Sequence, residues 1–349
     1  MTRRPRRPAP PRDPRRPARA ELLALVDRLA DARVLVLGDA VLDEFEQGEI
    51  ARVSREAPVL ILDHRRTDLC PGGAANTAAN LAALDVRAAI AGRIGDDAQG
   101  ERLSSLLAAL GVDARGLVRE RGYATPTKTR ILAGGPHTRK QQIVRMDRGR
   151  RGVPLGERTR LRIAAAARRA RGRGDAVVLA DYGYGLLDPS WVAALGPGAG
   201  PLTLDSRFAI DRYRGVSAAT PNLEEVERAV GRRLDDDDEA AIAAAARELR
   251  RKLRAEALLC TRGARGMTLD AAGRGAAARI PVFGSDEVAD VTGAGDTVIA
   301  VFTAARAAGA TWRAAAELAN VAGGLVVMKS GTATLSRAEL RAALEEGWE

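Results

Sequence analysis

The chain has 349 residues, 46% of them hydrophobic and 29% charged, and its formal net charge is +10. Such length and apolar content support one large core or two smaller ones and exclude a disordered or collagen-like chain. A charge of +10 would point to nucleic acid or another polyanion if it covered a folded surface, but residues 1–20 alone hold eight Arg against one Asp. The body that remains is close to neutral. Those 20 residues also include six Pro and almost nothing that could form a core, which predicts a disordered Arg/Pro-rich tail. Arg3-Arg4 and Arg6-Arg7 suggest an export signal, yet Asp27, Arg28, Asp31 and Arg33 interrupt the apolar stretch that should follow. No segment approaches 18 uninterrupted apolar residues, which argues against a membrane span. Cys70 and Cys260 lack metal-ligand spacing, so a reducing, cytoplasmic setting is expected.

Beyond the tail, the apolar run Val34 to Leu37 ends in Gly38-Asp39 and predicts a buried strand and a turn. Residues 44–64 are short and alternating and predict a small β element. Pro71-Gly72-Gly73 opens an Ala-rich helix over 74–84, followed by a strand over 86–91 and a helix over 98–110. A second β patch covers 127–132 and 141–146 around a Gly134-Gly135-Pro136 turn. From residue 157 helices and Val/Ile/Leu runs alternate: helix 157–170, strand 176–180, helix 188–195, strands 202–204 and 216–219, helices 222–230 and 238–253, strands 257–260, 266–269 and 277–281, and helices 294–308, 312–328 and 336–347. This order predicts an α/β fold of three layers, with a mostly parallel central sheet covered on both faces. Ligands in such sheets bind beyond the carboxyl ends of the strands, where Asp39, Asp181, Asp205 and Asn222 fall. The expected division is a catalytic domain over 21–349, with a β lid from about 44–64 and 121–147.

The sharpest local signal is Asp290-Val291-Thr292-Gly293-Ala294-Gly295-Asp296, running directly into an apolar helix. Two glycines let the backbone approach a ligand, and free N–H groups at the helix start of Gly293, Ala294 and Gly295 form an anion site. A carboxylate at Asp296, one turn in, is placed to act as base beside that site, an arrangement suited to phosphoryl transfer to a hydroxyl. Read alone, the run is equally a Gly-rich turn with an ordinary acid in the first helical turn. No G-x-x-x-x-G-K-[ST] occurs, which excludes a P-loop enzyme, and Val298 takes the third glycine position of a dinucleotide fingerprint. Gly72, Gly73 and Asn76 open the earlier helix, and Asp39 and Asp43 follow the first strand, giving two carboxylates and an amide suited to sugar hydroxyls. Taken singly, each of these is also explained by structure alone. His64 and His137 lack nucleophile partners, and Asp235 to Asp238 fits the start of a helix whose end is rich in Arg.

The order Gly38-Asp39-x-x-x-Asp43, then Gly72-Gly73-Ala-x-Asn76, then Asp-x-Thr-Gly-Ala-Gly-Asp resembles the ribokinase-like (PfkB) family of sugar kinases over roughly residues 33–345. The resemblance implies a ribokinase-like α/β/α domain with a β lid, ATP as co-substrate, Mg²⁺, and activation by a monovalent cation such as K⁺. It implies Asp296 as general base and Gly293, Ala294 and Gly295 as anion hole. Asn222 and Glu225 in Thr-Pro-Asn-Leu-Glu-Glu match the family's N-x-x-E element, with Thr261 and Gly263 in the same ATP and Mg²⁺ region and Glu225 reaching the metal through water.

Arg52 to Pro58, Cys70 to Asn76, Thr127 to Leu132, Gln141 to Asp147 and Asp290 to Ile299 are similar to the heptose 7-phosphate kinase branch, the kinase half of bifunctional heptose kinase/adenylyltransferases. That similarity implies phosphorylation of the C1 hydroxyl of D-glycero-β-D-manno-heptose 7-phosphate on the way to nucleotide-activated heptose and the lipopolysaccharide core, with a homodimer formed through the lid. Asp39, Asp43, Gly72, Gly73 and Asn76 are then sugar ligands, and Lys128, Arg130 and Arg145 are cations for the distal phosphate; otherwise these three are solvated lid charges. Ending at residue 349, the chain implies a kinase-only form. Where the branch shows Asp-Tyr-x-Lys-Gly and Asp-Pro-Lys, this chain has Asp181-Tyr-Gly-Tyr184-Gly and Asp205-Ser-Arg207, in keeping with only four Lys overall. Tyr184 does not replace a positive charge, so kinases of another sugar, sugar phosphate or nucleoside remain the alternative. A nucleic-acid or acidic-surface binder acting through the tail ranks below both, because it leaves the kinase motifs without a role.

Overall fold

The structure is a computed structural model that describes residues 16–135, 140–172, 174–195, 198, 200–273, 275–284, 290–329 and 331–348. In chain order its elements are α1 (Arg19–Arg28), β1 (Arg33–Gly38), β2 (Ala40–Val53), β3 (Leu60–Gly73), α2 (Ala74–Ala83), β4 (Arg87–Gly95), α3 (Ala98–Ala109), β5 (Asp113–Glu120), β6 (Thr127–Gly134), β7 (Gln141–Arg148), α4 (Glu157–Ala170), β8 (Ala176–Asp181), α5 (Ser190–Leu195), β9 (Leu202–Ser206), β10 (Ala218–Ala219), α6 (Leu223–Val230), α7 (Glu239–Leu253), β11 (Ala257–Thr261), β12 (Met267–Ala271), β13 (Ala278–Ile280), α8 (Ala294–Ala307), α9 (Trp312–Val326) and α10 (Arg337–Gly347).

A central sheet in the order β13-β12-β11-β10-β9-β8-β1-β4-β5 is parallel from β11 to β5 and closes with two antiparallel strands. Its inner strands β1, β8 and β11 are mainly apolar because helices cover both faces. Val34 and Val36 of β1 face a core built with α1, α2, α3, α8, α9 and α10, whereas Leu35 and Leu37 face the core built with α4 to α7. Period-two alternation along one strand thus feeds both layers. Helix starts follow side-chain caps: Asp97 accepts from Gly100 N at 2.8 Å, Asp238 from Ala241 N at 2.9 Å, and Ser336 closes a capping box with Glu339. Each such cap contributes about 1 kcal/mol.

The second sheet, β3-β2-β6-β7, is the lid. It is larger than expected, since the β2–β3 hairpin covers 40–73 rather than 44–64. The strands extend inward past the alternating stretch because Ala40 to Leu42 and Pro71 to Gly73 are buried where the lid enters the core. Two elements lacked an expectation. β5 alternates only weakly, and α1 lies beside the tail, where composition hid its Leu22, Leu25 and Val26 stripe. The ordered body therefore begins before residue 20: Arg16 stacks 4.0 Å from the Trp348 ring and Arg19 Nε donates to Trp348 O at 3.0 Å. Residues 1–15, Pro136 and His137 lie outside the described residues.

Candidate active site

Helix α8 starts at Gly293, whose φ of 84° lies in the left-handed region. Only glycine fits, because a Cβ at this position would stand 2.6 Å from Asn76 Nδ2. The Ala294 amide turns back to Val291 O at 3.3 Å, while the N–H groups of Gly293, Gly295 and Asp296 have no acceptor among the described residues. These free donors add to the positive end of a 14-residue helix and form a receptor for an anion. Asp290 shapes the entry by accepting from Thr292 N at 2.9 Å and Gly331 N at 3.2 Å, which fixes the loop against the segment after α9.

Asp296 is buried at the first turn. Its Oδ2 accepts from Asn76 Nδ2 at 2.7 Å, and its Oδ1 accepts from the Tyr182 hydroxyl. Asn76 is held in turn: Asn80 Nδ2 donates to Asn76 Oδ1 at 3.1 Å, and Thr297 Oγ1 donates to Asn80 Oδ1 at 3.0 Å. Burial raises the Asp296 carboxyl to about 6, against the pull of the Tyr182 and Asn76 donors and the Lys128 charge. A carboxylate with its affinity for protons raised toward neutrality is suited to general-base work. Tyr182 was not singled out by sequence; the only available signal was a polar aromatic directly after a strand at the ligand edge.

Three sugar-side expectations change. Asn76 donates to the Asp296 carboxylate rather than standing apart from it on the sugar side. Asp39 is buried and gives Oδ2 to the amides of Tyr182 and Tyr184, each at 3.0 Å, so it anchors the loop after β8. Burial, with the Asp181 charge adding to it, raises Asp39 to about 6. Arg145 is exposed and doubly bonded to Asp147 of its own strand at 2.8 Å, because period two puts both residues on one face. Asp43 and Arg130 do converge, as a buried pair with 2.8 Å between Oδ1 and Nη1. Gly72 makes room for that pair, since a Cβ there would lie 2.6 Å from Asp43 Oδ2. Gly73 lies at the α2 start with its Cβ direction blocked by Asp39 O at 2.8 Å. Lys128 stands opposite Asp43 in register; burial lowers its ammonium while the charges of Asp43 and Asp296 support it. Burial, with the charges of Asp43 and Asp68, pushes the Cys70 thiol up to about 11, which disfavours its thiolate.

A cavity of about 750 Å³ opens between the lid and the α8 entry loop, with Arg66, Arg130 and Lys140 on its lid side and Asp290 and Thr292 on its floor. Arg66 and Lys140 were not anticipated, since nothing in their spacing separates them from solvated lid charges. On the other side of the same loop lies a mainly apolar cleft lined by Thr261, Gly263, Val291, Gly295, Val298 and Gly323. Asn222 and Glu225 flank it as a capping box for α6: Glu225 N donates to Asn222 Oδ1 at 2.8 Å and Asn222 N to Glu225 Oε2 at 2.9 Å. The N-x-x-E spacing therefore has a structural use of its own. Asn222 also bridges Thr261, which brings the β11 end to the cleft. Burial holds Glu225 and Asp205 above the usual carboxylate range, with Glu225 the next largest influence on Asp205.

Two cavities lined by the loop that enters α8, with a buried carboxylate in the first turn of that helix, over a three-layer, mostly parallel sheet with a β lid, define a phosphotransferase of the ribokinase-like fold. The pfkB family carbohydrate kinase profile matches residues 32–154 and 188–339, and the chain belongs to that family. It is 44% identical over 320 residues to the bifunctional protein HldE of Halorhodospira halophila, covering 91% of this chain but 64% of that protein, so it spans under two thirds of that relative's length. It is 41% identical over 319 residues to the D-beta-D-heptose 7-phosphate kinase of Bordetella bronchiseptica, covering 90% of this chain and 96% of that one. Among solved structures, Escherichia coli phosphofructokinase-2 in complex with potassium superposes with a TM-score of 0.72 at 19% identity, covering 90% of this chain and 98% of that one. Arabidopsis thaliana ribokinase complexed with ribose and ATP gives 0.67 at 20%, covering 90% and 99%. At such identities the likeness concerns the fold.

Proposed function

We propose that the chain is an ATP-dependent kinase that phosphorylates the C1 hydroxyl of D-glycero-β-D-manno-heptose 7-phosphate to give the 1,7-bisphosphate, a precursor of nucleotide-activated heptose. The observation that carries the reading is Asp296, its carboxylate fixed by two donors in the first turn of the helix whose entry loop lines both cavities. The adenosine of ATP occupies the apolar cleft and the sugar phosphate the lid cavity. Asp296 takes the proton of the C1 hydroxyl, the C1 oxygen bonds to the γ-phosphorus, the bond from that phosphorus to the β,γ-bridging oxygen breaks, and ADP leaves. The Gly293, Gly295 and Asp296 amides receive the charge on the transferred group, with Ala294 completing the turn. Asp43, Lys128 and Arg130 hold the sugar end, and Arg66 and Lys140 supply cations for the distal phosphate. The 41% identity that runs through 96% of the Bordetella kinase supports this substrate above another sugar.

Among the described residues no group of three or more His, Cys, Asp or Glu could hold a metal ion. Buried Glu225 beside the cleft fits a hydrated Mg²⁺ that arrives with the nucleotide, which Glu225 would hold through water. Mg²⁺ supplies charge neutralisation of the triphosphate when bound. For K⁺, the Asp290 carboxylate and the Thr332 hydroxyl, buried without a partner among the described residues, are fitting oxygen donors. Exposed Ile50, Val53, Leu60, Ile143, Val144 and Met146 on the lid support a homodimer through that sheet. No helix among the described residues is long and apolar enough to cross a membrane, and a cytoplasmic setting is part of the proposal.

The test measures ADP formation from ATP with heptose 7-phosphate, ribose, fructose 6-phosphate or adenosine as acceptor. The expected outcome is a kcat/KM for heptose 7-phosphate at least about a hundredfold above the others, the scale on which missing polar contacts discriminate. Equal or better turnover of another acceptor overturns the substrate, and no ADP formation with any overturns the reaction.

A further inference from the structure

The Tyr182 ring is fixed from several sides. Its main-chain N–H donates to Asp39 Oδ2 at 3.0 Å, its carbonyl accepts from Arg151 Nη1 at 3.0 Å, and its Cδ2 lies 3.2 Å from where a Cβ on Gly73 would stand. So held, the hydroxyl reaches two carboxylates on different elements: Asp296 in the first turn of α8, and Asp205 near the end of β9 at 3.3 Å. We propose that Tyr182 is a positioning residue for phosphoryl transfer, its phenol bridging Asp296 and Asp205 so that the base stays aimed at the sugar hydroxyl and tied to the nucleotide side of the cleft. The inference rests on the reading of Asp296 as the base.

One phenolic proton cannot serve two carboxylates equally. Burial, reinforced by the charges of Glu225 and Asp296, favours the protonated form of Asp205. In that form the Asp205 O–H donates to the Tyr182 oxygen and the Tyr182 O–H donates to Asp296, and each donor in such a chain strengthens the next. The groups facing Asp296 are Asn76 from α2, Tyr182 after β8, Lys128 from β6, Asp43 from β2 and Asp205 from β9. Of these, Tyr182 and Asn76 donate hydrogen bonds to the carboxylate and Lys128 contributes through its charge, so removing the phenol O–H raises the affinity of Asp296 for a proton.

The experiment compares pH profiles of kcat/KM, with heptose 7-phosphate and saturating ATP, for wild type, Tyr182→Phe, Asp205→Asn and Asp296→Asn. Tyr182→Phe keeps the ring and loses the donor; its acid limb is expected about one unit higher, roughly a tenfold loss below the limb, with less than about a threefold loss on the alkaline plateau. Asp205→Asn retains a donor toward the phenol oxygen and is expected to leave the limb within about 0.3 unit. A Tyr182→Phe loss that is the same at every pH, or a limb that moves only in Asp205→Asn, overturns the inference. Activity in Asp296→Asn overturns the base itself, whereas an inactive Asp296→Asn with an unmoved Tyr182→Phe limb overturns only the role of Tyr182. Thermal melting of each variant accompanies the profiles, and a Tyr182→Phe that melts like wild type yet moves the limb separates aiming from folding.

Discussion

Asn76 and Asp296, 220 positions apart in the chain, are joined by a buried hydrogen bond of 2.7 Å from Nδ2 to Oδ2. The bond locks the two glycine-opened helices α2 and α8 start to start, and Gly293 is the residue that permits the approach. Gly293→Ala would place a methyl group 2.6 Å from Asn76 Nδ2 at a φ of 84°. We expect a stability loss of about 1–3 kcal/mol from strain and a fall in kcat of at least tenfold as Asn76 is displaced. Urea unfolding and steady-state kinetics check both, and an unchanged kcat would remove Asn76 from the centre.

The raised carboxyl of Asp296 has opposite consequences for rate and for stability. As the proposed base, Asp296 would work only when ionised, so kcat/KM is expected to fall below about pH 6. For stability the folded state binds this proton more tightly than the unfolded chain, whose carboxyl titrates near 3.8. Stability is therefore lost as pH rises from about 4 to about 6, and the ionised form then costs of the order of 3 kcal/mol. Asp296→Asn removes that charge but leaves two donors facing an amide. The expected result is an inactive protein more stable than wild type by about 1 kcal/mol at pH 7.5, with no gain at pH 4. Melting curves at both pH values test the sign.

Asp43 and Arg130 form a buried ion pair, and Arg130 lines the lid cavity. Removing one partner strands the other charge, so Arg130→Ala or Asp43→Ala is expected to cost about 3–5 kcal/mol. The double variant should cost less than the two single losses added together. Equilibrium unfolding of the four proteins supplies the cycle, and strict additivity would mean that the pair contributes no coupling.

Much of the architecture was legible because apolar runs and Ala-rich periodic segments obey their periods; strand β8 and helices α4, α7 and α8 lie within a residue of expectation. Helix α1 was not, since its Leu22, Leu25 and Val26 stripe is embedded between Arg-rich neighbours and is decided by packing against α10 and Trp348. At the site, the glycine spacing and Asp296 were readable because backbone geometry constrains residue type. The roles of Asp39, Arg145 and Tyr182 were not. Sequence places a carboxylate near a ligand edge but does not say whether its oxygens meet a substrate, a main-chain amide or a neighbouring Arg.

The lid is continuous with the transfer centre at both of its ends. β2 leaves the core directly after Asp39 and carries Asp43, and β3 returns through Gly72 and Gly73 straight into α2 and Asn76. Both ends of the hairpin are thus anchored beside the residues that surround Asp296. One hairpin therefore joins the strand that carries Asp43 to the helix that carries Asn76, the amide donor to Asp296. Strain placed on the outer lid strands thus has a direct covalent path to Asn76 and its hydrogen bond with Asp296.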